Sequence, residues 1–259
     1  MSGSEMFCLV ICFIPTALWL WWFYLTLCFV DFDRNIPARI SAIIVPALAM
    51  LGLFVVLCTA TPDDVRNSNL YIFFYLVMGI AWLQLIVGVS ACMGFILRDD
   101  WIERGNPAAA ICGSGLLLGG MAAFAGGNIG DGPGWWVVVL SAGLSTGTIL
   151  IGLAFINLTA GVLERITVGR EVSLAVRMWA FLVTTGVISG FAVAGDWVSA
   201  GATVTDFVIT CLPLFGLIVF LGFFEMLCKN SRLPLSVSVL FAAGELSCAA
   251  CYLVWVRMW

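Results

Sequence analysis

The sequence contains no histidine and few charged residues of any kind. Only 10% of its 259 residues are charged, whereas a soluble globular domain carries about 25%. Without histidine, the chain lacks the commonest general base and the commonest ligand for metals and haem. Catalytic triads and cysteine–histidine dyads are therefore excluded within this chain. We expect no metal site, no cofactor and no enzymatic activity.

Positive charge is also scarce, and it is not clustered. The chain has 11 basic and 15 acidic residues, which give a net charge of −4, and it has no basic block, so we expect no nucleic-acid partner. No basic segment precedes the first apolar run, so we predict a retained membrane span there rather than a cleaved signal peptide. The ten cysteines lie mostly in apolar runs, where they are expected to act as small hydrophobic residues.

Hydrophobic residues, in contrast, make up 63% of the chain, and its mean hydropathy is +1.12. A helix that crosses the hydrocarbon core of a bilayer needs about 20 apolar residues. Eight runs meet this requirement, so we predict an all-α polytopic membrane helix bundle of about eight transmembrane helices with short loops. It forms a single integral membrane domain over residues 1–259, with the lipid bilayer as its main partner. The predicted spans are Phe7–Val30, Pro37–Ala60, Leu70–Leu97, Ala108–Gly126, Trp135–Leu163, Val172–Ala194, Phe207–Cys228 and Pro234–Trp255.

The basic residues favour one side of this eight-span arrangement. Eight of the 11 lie in the odd-numbered connections, namely Arg34, Arg39, Arg98, Arg104, Arg165, Arg170, Lys229 and Arg232. The positive-inside rule places those connections in the cytoplasm. We therefore predict a multi-pass protein of the plasma (inner) membrane with both termini outside. Tryptophans near the predicted span ends, such as Trp101 and Trp136, are typical of an aromatic belt at the two interfaces.

Two segments of the chain resemble each other at a spacing of 64 to 65 residues. Ala122, Gly126 and Gly130 correspond to Gly186, Gly190 and Ala194, and Asp131 corresponds to Asp196. This pattern indicates a two-span repeat unit, about residues 98–163 and 164–228, although frequent glycine makes chance matches easy. Two-span units would repeat in parallel and would not give the inverted symmetry of many carriers.

A charged stretch followed by Gly105-Asn106-Pro107 opens the fourth predicted span. Asn106 is suited to cap the first helical turn, and Pro107 fits the first helical position. From Glu103 to Ile111 the chain resembles the YjfL/YshE-type bacterial inner-membrane protein family, whose function is unknown, and the resemblance covers about residues 97–207. It implies a polytopic bacterial inner-membrane protein and no particular reaction. In the second unit Arg170-Glu171 replaces the asparagine, and eight spans exceed the four that are usual in the family.

Small and hydroxyl side chains recur at helical spacing in three spans. Gly115 and Gly119 in span four, and Gly186 and Gly190 in span six, predict helix faces that allow a neighbouring helix to approach closely. Span five carries a hydroxyl stripe, for which we weigh helix packing against a polar pathway. Hydroxyl groups also bond backbone carbonyls of their own helix, so the stripe alone does not indicate a pore. The stripe consists of Ser141, Ser145, Thr148, Gly152 and Thr159.

Glu245 is the most informative ionisable residue because it falls near the middle of span eight. A charged carboxylate at that depth costs at least ~2.5 kcal/mol on insertion scales, and ionisable groups there are commonly functional. We weigh an ion or proton site against a neutral carboxyl group in a structural hydrogen bond. Gln84 in span three is a candidate polar partner. Arg177 and Glu225 lie just inside the cytoplasmic edge, where they either pair or extend to the interface.

These features favour transport or permeation of a small ion or solute, with Glu245, Gln84, Arg177 and Glu225 as candidate site residues. The alternative is a non-catalytic structural or assembly subunit, which would associate with itself or with another membrane protein through its glycine faces. A C-x-x-C sequence at Cys248 and Cys251 lacks the βαβ context of thioredoxin-like proteins and does not support redox chemistry.

Overall fold

The computed structural model describes residues 1–29, 36–231 and 233–258, and all regular secondary structure in these ranges is helical. Eight of the described helices are long and apolar enough to cross a membrane. The predicted all-α bundle is therefore confirmed, and the chain is a multi-pass membrane protein. The long helices are α1 (Gly3–Phe29), α2 (Ile36–Thr59), α4 (Asn69–Cys92), α5 (Pro107–Gly126), α6 (Trp135–Ala160), α8 (Val172–Ala192), α9 (Ala200–Leu227) and α10 (Leu235–Arg257).

Short helical segments join several of these spans. They are α3 (Asp63–Arg66), a π-helical turn (Arg98–Glu103), α7 (Val162–Thr167) and a 3₁₀ turn (Cys228–Asn230). The predicted third span was too long, because α4 ends at Cys92 and the π-helical turn follows separately. The predicted seventh span began too late. α9 starts at Ala200 because the Ser199 hydroxyl accepts a hydrogen bond from the backbone N–H of Ala202, at 3.1 Å, and caps the first turn.

Helices α5 and α8 form the most extensive helix–helix contact of the described bundle, and most of their residues are buried. On one side α2 packs against α5, and on the other side α10 packs against α8. The outer helices are arranged in the same way, because α1 packs against α4 and α9 packs against α6. The centre of the core is therefore built from α5 and α8.

The charged connections gather on two opposite faces of the bundle. One face, called the basic face below, contains Arg98, Arg104, Arg165 and Arg170, and the Arg170 guanidinium donates to the Arg104 carbonyl across it. The other, called the acidic face, contains Asp63, Asp64, Asp131 and Asp196, which line one surface cavity. Three residues of the predicted topology, Arg34, Arg232 and Trp259, lie outside the described residues.

The positions that correspond in the predicted repeat lie against each other. A Cβ atom on Gly126 would stand 2.1 Å from the Gly190 carbonyl oxygen. On the acidic face the backbone N–H of Asp131 donates to Oδ1 of Asp196 at 2.8 Å, again between corresponding residues. Two halves related by a two-fold axis would touch in this way along that axis. The repeat itself stays a prediction.

Candidate functional site

Glu245 lies in the middle of α10, on the face that packs toward α8 and α9. Its side chain is almost fully buried, with 9% of the residue exposed. Neither carboxyl oxygen has a hydrogen-bond partner within the described part of the chain. Buried carboxyl groups in folded proteins nearly always have partners. The suggested structural hydrogen bond is therefore not made by any described residue, and the group borders a cavity.

This cavity has a volume of about 500 Å³ and lies between α8, α9 and α10. Its walls are mostly apolar, and the hydroxyl of Thr184 is a second buried polar group in them without a hydrogen-bond partner among the described residues. Pro213 of α9 also lines the cavity. Because proline has no N–H, the helix lacks one backbone hydrogen bond at this level. The cavity therefore brings together a carboxyl group, a hydroxyl group and a locally weakened helix.

Gln84 does not reach Glu245. It lines a different cavity with Pro15 of α1 and other residues of α4. The suggested pairing of Gln84 with Glu245 is therefore wrong, because the Glu245 oxygens have no hydrogen-bond partner in the described chain. Depth in a span, which sequence can indicate, does not say which way around its helix a side chain points.

Arg177 and Glu225 form a buried ion pair between α8 and α9. Nε of Arg177 lies 2.5 Å from Oε1 of Glu225, and Nη2 lies 2.9 Å from Oε2. The exposed fraction is 1% for the arginine and 0% for the glutamate. Nη1 of Arg177 also donates to the Ser238 hydroxyl on α10. Of the two alternatives weighed for these residues, the structure has the pair and not the extension to the interface.

A second arginine extends this pair into a cluster of four charges. Arg165, in α7, donates two hydrogen bonds to Glu171, at 2.9 and 3.1 Å, and its Nη1 lies 3.4 Å from Oε2 of Glu225. We call Arg165, Glu171, Arg177 and Glu225 the charge cluster. It is electrically neutral, and it ties α7, α8 and α9 together just inside the basic face, to which Arg165 belongs. Because its carboxylates and guanidinium groups are paired, the cost of burying them is largely offset.

The charge cluster lies between the Glu245 cavity and the basic face. Ser238, which contacts Arg177, precedes Glu245 by two turns on α10, and Arg177 precedes Thr184 by two turns on α8. A route from the cavity to the basic face would therefore pass through the cluster. Sequence indicated the pair only as an option. It missed Arg165, which was counted only among the basic residues of a connection, and Glu171, which was noted only as part of the second repeat unit.

The four predicted packing glycines all lie at the contact between α5 and α8. Cβ atoms on Gly115 and Gly119 would stand 2.9 Å from the Trp179 backbone and 2.2 Å from the Leu182 carbonyl oxygen. Gly186 faces the backbone of Gly119 equally closely, and Gly190 faces Ala122. No side chain larger than hydrogen fits at such distances without separating the helices. The glycine faces are thus used inside the chain.

The hydroxyl stripe of α6 is mostly occupied by local hydrogen bonds. Ser145, Thr148 and Thr159 each donate to the carbonyl four residues earlier in their own helix. Ser145 also donates to the Ser189 carbonyl of α8 at 2.9 Å. These contacts support helix packing, the first of the two interpretations. A signal that sequence reasoning did not use is Thr146, which accepts a hydrogen bond from Trp82 Nε1.

The charged segment that precedes α5 makes more hydrogen bonds to other helices than its composition indicated. Asn106 caps α5 as predicted, by accepting from the N–H groups of Ala108 and Ala109. Its amide nitrogen also donates to two carbonyls at the end of α7.

Trp101, predicted to belong to the aromatic belt, is instead buried, and its Nε1 donates to the Ser41 hydroxyl. Burial raises the pKa of Asp100 beside it, although the Ile96 N–H and Arg104 act in the opposite direction.

Cys248 and Cys251 are both free and exposed on α10. No group of three or more histidine, cysteine or acidic side chains suited to a metal ion occurs in the described ranges.

Comparisons of the chain with protein-family models, with curated proteins and with solved structures find no match. The resemblance to the YjfL/YshE-type family therefore stays a prediction, and function has to be argued from the cavity and the charge cluster.

Proposed function

We propose that this protein moves a small ion or solute across the membrane, with Glu245 as the group that binds it. One observation carries the proposal. A carboxyl group lies at mid-span, with 9% of its residue exposed, both of its oxygens lack a hydrogen-bond partner in the described chain, and it borders a cavity of about 500 Å³. A structural carboxyl group would be satisfied by its neighbours. An unsatisfied one in a cavity is explained by a ligand that satisfies it.

The charge cluster supplies the second part of the mechanism. It closes the space between the cavity and the basic face, so a bound solute reaches that face only when the cluster rearranges. Arg177 and Glu225 join α8 to α9, and their separation would let these helices move apart, with Pro213 as the point, about three turns from Glu225, where α9 can bend. In this mechanism the pair is a gate and Glu245 is the binding site. Gln84 has no part in it.

We also propose the orientation. The basic face is cytoplasmic by the positive-inside rule, so both termini lie outside. In a bacterium the membrane would then be the inner membrane, as the family resemblance implies.

The alternative, a non-catalytic assembly subunit, rested on glycine faces that were free to contact other chains. Gly115, Gly119, Gly186 and Gly190 face the backbone of the partner helix within this chain. They are consequently not free for an external helix. No other observation favours this alternative over transport.

The test is flux in liposomes that contain the purified protein. We expect cation- or proton-dependent flux in the wild type and its loss in Glu245→Gln, which keeps the shape of the side chain but cannot ionise. Glu164→Gln is the matched control, because Glu164 is exposed on α7 and takes no part in the charge cluster. Wild-type flux with wild-type pH dependence in Glu245→Gln would refute the role of this carboxyl group.

A further inference from the structure

We infer that the Glu245 cavity takes a lipophilic organic monocation, such as a protonated amine with an apolar body, which enters from the bilayer. This inference rests on the proposed function and names the class of its substrate. It is carried by the size of the cavity, the number of its free oxygen atoms, the chemistry of its walls and the direction of its opening.

The size of the cavity argues against a proton or a bare ion as the only ligand. Its volume is about 500 Å³, whereas one water molecule takes up about 30 Å³. Pockets for small organic molecules measure about 300–1,000 Å³ and are mostly apolar, with a few polar groups that orient the ligand. The cavity therefore has the size and the kind of lining that an organic ligand needs.

The oxygen atoms in the cavity are too few for a calcium ion. Three side-chain oxygens, two of Glu245 and one of Thr184, have no hydrogen-bond partner in the described chain. The Tyr252 hydroxyl is used, because it donates to the Thr210 carbonyl at 2.8 Å. Calcium takes about 6–8 oxygen ligands. Three acceptors that line one cavity equal in number the N–H groups of a single ammonium group.

The walls argue against a polar solute. Most of the lining is aliphatic or aromatic, including Leu217 and Phe241. The Phe241 ring stacks on Phe220 and Phe224, with interplanar angles of 10° and 11°, so it is held as a fixed wall. A sugar or a peptide would lose hydrogen bonds to water here without replacing them. An apolar body with one cationic end would lose few, and its charge would lie close to Glu245.

The cavity opens sideways, toward the lipid. Leu240, Gly244 and Cys248 line it and are also exposed on the outer surface of the bundle, and Leu240 is 73% exposed. A Cβ atom on Gly244 would meet nothing within 4 Å, so the wall is open at this position. A lipophilic cation concentrates in the bilayer and can enter by this opening without crossing the charge cluster.

The experiment compares two probes of the same shape, 1-adamantylamine, which is protonated at neutral pH, and 1-adamantanol, which is neutral. Binding to the purified protein in nanodiscs is measured by titration calorimetry. We expect the wild type to bind the amine about tenfold more tightly or better, because a hydrogen bond to a charged group is worth about one factor of ten or more. Glu245→Gln should remove this preference, and Gly244→Leu should weaken binding of both probes. Glu164→Gln and Gly143→Leu, both at exposed positions away from the cavity, should bind like the wild type.

The outcomes separate this inference from the proposed function. Equal affinity of the wild type for the two probes, or no binding of either while Glu245-dependent flux persists, would overturn the inference and leave the transport proposal standing. A charge preference that Glu245→Gln removes, in a protein that shows no flux, would support the binding site and contradict transport. The wild-type comparison decides the question even if a variant does not fold.

Discussion

Two buried glutamates in neighbouring helices differ completely in their surroundings. Glu225 has both oxygens bound to arginine side chains, at 2.5 and 2.9 Å from Arg177, whereas neither oxygen of Glu245 has a hydrogen-bond partner in the described chain. The first is held in a structure that neutralises its charge. The second has only the cavity beside it. The same substitution should therefore have opposite effects on stability at the two positions.

At Glu225, substitution by methionine leaves Arg177 buried without its main partner. Breaking one side of a buried ion pair costs about 3–5 kcal/mol, and we expect Glu225→Met to lower the free energy of unfolding by that order. The double variant Arg177→Met, Glu225→Met should recover part of the loss, because no buried arginine is left without a carboxylate: Arg177 is removed, and Arg165 keeps its two hydrogen bonds to Glu171. Thermal unfolding in detergent measures both effects. A loss of stability that is simply additive in the double variant would contradict coupling between the two residues.

At Glu245, substitution by methionine removes a desolvated carboxyl group and breaks no hydrogen bond within the described chain. We expect Glu245→Met to leave the thermal stability unchanged or to raise it, by about 2.5–3.5 kcal/mol if the full insertion cost of a charged mid-span acid is relieved. It should abolish flux at the same time, because it removes the carboxyl group that binds the ion or solute. A gain in stability with a loss of function is common at binding sites. Thermal unfolding and liposome flux on the same preparation provide the measurement. A clear loss of stability would indicate a structural role that the described contacts do not show.

At the scale of helices, the close contact between α5 and α8 depends on glycines, which have no side chain to hold the two backbones apart. We expect Gly119→Leu and Gly190→Leu to destabilise the protein more than Leu117→Ala does. A Cβ atom at Gly119 or Gly190 would already lie 2.2 or 2.6 Å from a carbonyl oxygen of the partner helix. Overpacking typically costs about 1–3 kcal/mol, and here backbone and not a flexible side chain would have to move.

The control for this prediction is Gly143→Leu in α6, where an added Cβ atom would meet nothing within 4 Å. It introduces the same side chain into a helix of the same bundle and should have little effect on stability. Melting temperatures in one detergent compare all four variants. Equal melting temperatures for Gly119→Leu and Gly143→Leu would contradict the close approach of α5 and α8.

At the scale of the whole molecule, orientation can be tested with engineered cysteines. We expect an impermeant maleimide applied to sealed cells to label Ser4→Cys and Asp131→Cys, and to label Ser231→Cys only after the membrane is opened. All three positions are exposed. Wild-type protein measures the background from its native cysteines. Labelling of Ser231→Cys in sealed cells would reverse the proposed topology.

Asp131 is preferred for this test to the neighbouring Gly130, which is an obvious loop position by sequence. Gly130 has a φ of +103°, and a Cβ atom there would stand 2.2 Å from the Gly195 backbone. Its loop is joined to the next acidic-face connection by two backbone hydrogen bonds, Gly195 N–H to Ile129 O and Trp197 N–H to Asp131 O. A cysteine at Gly130 would therefore disturb the face that it is meant to report on.

The sequence by itself determined the class of this protein, the number of its spans and which two spans carry glycine faces for close packing. Lipid forces each crossing segment to be a long apolar helix. Glycine at every fourth position gives a helix face without side chains, which allows close packing of a second helix. The cap at Asn106 was equally visible, because the chemistry of a helix start is local. Such features depend on a few neighbouring residues, so a pattern along the chain is enough to show them.

Only the tertiary structure decided which polar residues meet. In sequence, Glu245, Gln84, Arg177 and Glu225 differed in their depth within the spans, but nothing along the chain showed which of them are in contact. Helix packing then joined Glu225 to Arg177 and Arg165, turned Gln84 toward α1, and left Glu245 in the wall of an open cavity that Thr184 also lines. Rotation of each helix about its axis decides these contacts, and that rotation follows from the fit of all the helices together and not from any one segment.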